Sequence, residues 1–132
     1  MRAFREAVEA LDLDAAEALL APDVVFTSPV VFKPYTGKPI TAAILRAVSG
    51  VFEDLRYVRE INDVNGRDHA LVFTARVGDR EVNGCDLIHV DEHGLIDELT
   101  VMVRPLSGAQ ALAAAMGAQF ERIAEEARAR SV

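Results

Sequence analysis

The hydrophobic positions follow two rhythms, helical before residue 55 apart from one β-rich stretch, and two-residue from there on. Phe4, Ala7, Val8 and Leu11 recur at the spacing of one buried helix face and predict a helix over 2–10. Leu13, Ala16, Leu19 and Leu20 predict a second helix over 12–21, closed by Pro22. VVFTSPVVF is rich in β-branched and aromatic residues and predicts a strand over 24–32, broken by Pro29. KPYTGK is a loop in this reading. Pro39 then suits the first turn of a third helix carrying Ile40, Ile44, Leu45, Val48 and Phe52.

From residue 55 the alternation becomes that of strands. LRYVREINDV runs to a turn at Asn65-Gly66, and HALVFTARV places His69, Leu71, Phe73, Ala75 and Val77 on one face. REVNGCDLIHV follows Gly78-Asp79, and Asp91-Glu92-His93-Gly94 turns the chain into LIDELTVMV. Three successive hairpin connections predict a four-stranded antiparallel meander, and 24–32 brings the sheet to about five strands. Ser107 and Gln110 have the spacing of a capping box. Leu112, Met116, Phe120, Ile123 and Ala127 continue from it as one apolar stripe, so a single C-terminal helix is expected over 107–130. Helices followed by a sheet define an α+β domain spanning 1–132, with its core in 2–106.

Composition narrows the partners. The 132 residues are 51% hydrophobic, enough for one buried core, and carry a net charge of −7. That charge disfavours nucleic acid and anionic membrane surfaces. No apolar run approaches the roughly 20 residues of a membrane span, and the N-terminal segment has no signal-peptide core, so a cytoplasmic protein is expected. Cys85 is the single cysteine, which excludes an internal disulfide and a cysteine-built metal centre. His69, His89 and His93 fall on a strand start, a mixed face and a turn, so neither a metal site nor a cofactor is expected.

Three stretches carry a resemblance: DLDAAEALLAPDVVFTSP, YTGKPITAAI and CDLIHVDEHGLIDEL. With the element order, they make 2–106 similar to the nuclear transport factor 2-like superfamily, which includes ketosteroid isomerases, SnoaL-like polyketide cyclases and limonene epoxide hydrolase. The resemblance implies a cystatin-like α+β barrel, in which a cone-shaped curved antiparallel sheet packs on N-terminal helices around an apolar pocket. The C-terminal helix is then an addition. In ketosteroid isomerases a helix tyrosine, a strand aspartate base and a protonated aspartate do the work. Phe4, Ser28 and Asp86 occupy the corresponding positions here. Phe4 has no hydroxyl to donate, and Ser28 lacks the partner base it would need to take a carbon-bound proton, so that activity is disfavoured. The epoxide hydrolase branch uses an Asp-Arg-Asp group, of which Arg76 and Asp86 offer two members.

Asp86 is the most unusual placement in the chain. Alternation puts it on one face with Val82, Gly84, Ile88 and Val90, where an unpartnered acid favours its neutral form and becomes a hydrogen-bond donor. The competing reading is an acid paired with Arg76 or Arg104 for structural reasons. Tyr57 offers a hydroxyl, although LRYVREINDV alternates too poorly to assign its face. The ligand-contacting residues expected are Phe4, Phe26, Ser28, Tyr57, Phe73, Ile88, Leu99, Val101 and Val103, around a small hydrophobic molecule. Cys85, Leu87, Thr100 and Met102 form an apolar outer face, so a homodimer through that face is expected, with the C-terminal helix as another candidate to cover it. Two functions remain open: a cofactor-free isomerase, cyclase or hydrolase using Asp86 as acid or donor, and a non-catalytic binding module.

Overall fold

Phe4 and Ala7 are buried and fix the inner face of α1 (Arg2–Glu9), as their spacing predicts. The Asp12 carboxylate caps α2 (Leu13–Ala18) by accepting the Ala15 N–H at 3.1 Å. This helix ends earlier than its apolar pattern predicts. Leu20 and Ala21 are buried at the start of β1 (Leu20–Thr27), where Leu20 lies opposite Ile96 and the Leu19 carbonyl accepts the Ile96 N–H at 2.8 Å. Sheet pairing thus takes residues that helical periodicity had claimed. Pro22 lies within β1, where the register shifts between Leu20 and Val25.

β2 (Tyr35–Thr36) is a short strand inside the segment read as a loop, antiparallel to β1. It leads into α3 (Lys38–Ser49). The meander then follows as β3 (Phe52–Asn62), β4 (Asp68–Val77), β5 (Arg80–Val90) and β6 (Ile96–Arg104), all antiparallel to their sequence neighbours. The six-stranded sheet has the order β2-β1-β6-β5-β4-β3 and does not close on itself. β1 runs parallel to β6 because the whole meander, not a hairpin, connects them. The result is the expected α+β arrangement of helices against a curved sheet. The structure, a computed structural model, describes residues 1–131.

The C-terminal segment departs most from expectation. It forms two helices, α4 (Leu106–Gly117) and α5 (Phe120–Arg130). The Ser107–Gln110 capping box does not form, because α4 begins at Leu106 behind Pro105 and has no side-chain cap. The break after Gly117 lets α4 pack on β5 and β6 while α5 packs on α3. Gly108 meets Val82, an inward residue of β5; a Cβ there would lie 2.5 Å from the Val82 side chain. Both helices therefore sit on the inner side of the sheet. They leave the outer face open, contrary to the idea that the C-terminal helix covers it. None of the described helices is long and apolar enough to cross a membrane.

Candidate functional site

The inner face of the sheet encloses a cavity of about 470 Å³ between the sheet, the N-terminal helices and α4–α5. Its volume falls within the range typical of small-molecule pockets. Its wall is built mainly of apolar side chains. Phe4 comes from α1, Phe26 from β1, Tyr57 from β3, Phe73 from β4, and Leu99 and Val101 from β6. All six were expected there. Phe73 stacks edge-on against Tyr57 at 6.0 Å and against Phe52 at 5.4 Å, giving one wall a continuous aromatic surface. The Phe73 ring lies directly on the backbone of Gly84, where a Cβ would come within 2.0 Å of it. Only glycine on β5 leaves this ring its seat in the cavity wall.

Asp86 faces inward on β5, between Leu71 of β4 and Val101 of β6. It is 6% exposed and lines the cavity. Its partner is neither of the two arginines weighed for it. The Tyr57 hydroxyl donates to Asp86 Oδ2 at 2.6 Å, while Arg76 bonds Asp54 at 2.6 Å and Arg104 bonds Asn83 at 2.7 Å. Burial pushes the Asp86 carboxyl up to about 7, against the opposing pull of the Tyr57 hydrogen bond. Burial and the neighbouring carboxylate push the Tyr57 phenol well above its usual value, so Tyr57 stays a donor. Asp86 thus engages Tyr57 through Oδ2 and borders the cavity.

The ambiguity of Tyr57 in the sequence has a structural cause. β3 shifts register against β4 between Glu53 and Arg56 and again between Tyr57 and Arg59, and Asp54 adopts a positive φ of 53°. These irregularities break the alternation that would have marked Tyr57 as inward. Its backbone N–H also donates to Glu9 Oε2 at 3.0 Å, which ties β3 to the end of α1.

The remaining candidates separate clearly. Ser28 lines the cavity, but its Oγ accepts the Val30 N–H at 3.1 Å and so shapes the turn through Pro29. Ile88 is buried but does not reach the cavity, and Val103 packs half-buried against the core without reaching it. Both lie on the inward face as predicted, yet that face is cavity wall only around Asp86 and plain core away from it. Arg76 turns outward to Glu53 and Asp54, so it does not join Asp86 in an Asp-Arg-Asp group. The Asp91 carboxylate accepts the backbone N–H groups of His93 and Leu95, which confirms His93 as part of a turn. Sequence reasoning missed the far wall, where Leu112 and Met116 of α4 and Phe120 and Ile123 of α5 close over the cavity. Their stripe was visible; its target was not.

The family model of the SnoaL-like domain matches residues 1–99. The chain belongs to the SnoaL-like family. A solved steroid delta-isomerase from Pseudomonas aeruginosa is 44% identical, with a TM-score of 0.85 over 90% of this chain and 87% of that one. A bacterial protein with a cystatin-like fold from Silicibacter pomeroyi is 37% identical, also with a TM-score of 0.85, over 95% of this chain and 92% of that one. An epoxide hydrolase of the LEH-like type from M. tuberculosis shares the fold at 24% identity and a TM-score of 0.62, covering 92% of each chain. Comparison with curated proteins found no match. The segment beyond residue 99, which includes α4 and α5, lies outside the family match.

Proposed function

We propose that the cavity receives a small hydrophobic molecule and that Asp86, aligned by Tyr57, donates a hydrogen bond to an oxygen on it. One observation carries this reading: a buried carboxyl whose Oδ2 is held by the Tyr57 hydroxyl at 2.6 Å, at the wall of an otherwise apolar chamber. A neutral carboxylic acid in such surroundings is a strong directed donor, and a ketone oxygen is a natural acceptor. The same donor would steady negative charge developing on that oxygen, which is the electrophilic half of a cofactor-free isomerase, cyclase or hydrolase. The basic half has no support at Ser28, whose oxygen is engaged in its turn. Ketosteroid isomerisation by the family mechanism is accordingly disfavoured. The similarity to a steroid delta-isomerase nonetheless makes a ring ketone the first probe to try.

The test is binding and turnover of a β,γ-unsaturated steroid ketone by wild type, Asp86→Leu and Ser28→Asp. Wild type is expected to bind the ketone with little conversion, and Asp86→Leu to bind it about tenfold more weakly, the value of one lost hydrogen bond. Equal affinity in wild type and Asp86→Leu would remove Asp86 from the site. Rapid conversion by wild type would place the protein among enzymes with a base elsewhere in the cavity. The engaged Ser28 and the apolar Phe4 favour the second reading, a non-catalytic binding module, for which Ser28→Asp is the gain-of-function check.

We also propose that two copies pair through the outer sheet face. Leu87 and Met102 are 40% and 56% exposed there, and no element of the chain covers them among the described residues. Light scattering of wild type against Leu87→Lys tests this, the dimer being lost in the variant.

A further inference from the structure

Three residues beyond Asp86, β5 presents a second set of titratable groups, on the opposite face and outside the cavity. His89 lies opposite Glu98 of β6, but the next pair is Val90 with Ile96, so Asp97 is an extra residue in β6. Such a bulge puts two consecutive side chains opposite one partner residue. Ile96 and Leu99 on either side are buried inward, while Asp97 and Glu98 are respectively half-buried and exposed. Both acids thus stand on the His89 side of the sheet. His89 Nδ1 is 2.6 Å from Asp97 Oδ1, and one ligand atom from each of His89, Asp97 and Glu98 lies within 4.8 Å of the others. A further carboxylate, Asp68 of β4, lies opposite His89 on its other side.

We propose that His89, Asp97 and Glu98 form a site for a divalent transition-metal ion, assembled by the β6 bulge and separate from the cavity. One carboxylate is enough to pair an imidazole. Three around a single imidazole repel one another, and a divalent cation removes that repulsion. An imidazole nitrogen with two carboxylates suits zinc, iron(II) or manganese, with open positions left for water. Calcium and magnesium favour all-oxygen sets, so the imidazole argues against them. The donors come from two strands brought together by a bulge, which spacing along one segment does not reveal.

The experiment is calorimetric titration of zinc chloride into chelator-stripped protein. It is done in a Cys85→Ser background, so that the outer-face thiol cannot contribute, and repeated with His89→Ala and Glu98→Gln. One zinc per chain is expected, with the affinity of His89→Ala reduced at least about 100-fold, beyond the roughly 10- to 100-fold effect of losing an outer partner. Cobalt(II) substituted at the site should give visible absorption that His89→Ala lacks. Absence of binding in the parent protein, or unchanged binding in His89→Ala, overturns the proposal. If circular dichroism finds His89→Ala unfolded, Glu98→Gln decides in its place: retained full affinity there also overturns it.

Discussion

The two faces of β5 put the same backbone to opposite uses. Asp86 points inward, is buried, and has a phenol for company; His89 points outward, is half-exposed, and is flanked by carboxylates. Burial dominates on the inside and drives the carboxyl towards neutrality. Charge partners dominate on the outside, where the Asp97 hydrogen bond raises His89 and favours its charged form. Three residues therefore separate a place where the fold suppresses charge from one where it gathers it. The difference follows from which face the α4–α5 pair covers.

The largest expected effect lies on the inner face. Asp86 binds its proton more tightly folded, at about 7, than unfolded, at about 3.8. The stability it contributes is therefore full below pH 3.8, is lost as pH rises towards 7, and is absent above that. In urea melts across this range, wild type should lose stability relative to Asp86→Asn by an amount on the order of a few kcal/mol. Parallel curves for the two proteins would mean that the carboxyl is wetted in the native state.

Gly84→Ala comes next. A methyl group 2.0 Å from the Phe73 ring must displace it, and overpacking of this kind costs about 1–3 kcal/mol. The melting temperature should fall, and large ketones should lose affinity more than small ones as the ring is pushed towards the cavity. Tyr57→Phe is smaller, about 1 kcal/mol for one hydrogen bond. It should raise the Asp86 midpoint further, because the lost bond had favoured the ionised form. Smallest of all, Met102→Lys on the outer face should change chain stability by no more than about 0.5 kcal/mol while weakening self-association.

Much of this contrast was legible in the chain before any coordinates. Val82, Gly84, Ile88 and Val90 around Asp86 mark an inward acid, and the hairpins bounding β4, β5 and β6 follow from their turn residues. What escaped was whatever depends on an irregularity or on a distant partner. Tyr57 was ambiguous because two register shifts in β3 erase its alternation. Leu20 was assigned to a helix because nothing local reveals its pairing with Ile96. The C-terminal stripe from Leu112 to Ala127 announced a buried face, but not that the chain breaks after Gly117 to roof the cavity. The outer cluster was hidden for the same reason as Tyr57, since a bulge in β6 brings Asp97 and Glu98 onto one side.

The raised proton affinity of the buried Asp86 carboxyl is the feature on which the functional reading rests. Carbon-13 NMR titration of the Asp86 carboxyl, assigned by its loss in Asp86→Asn, measures that directly. A midpoint near 7, moving upward in Tyr57→Phe, is the predicted result. A midpoint near the ordinary 3.8 would mean a solvated, ionised acid and would contradict the donor role assigned to it.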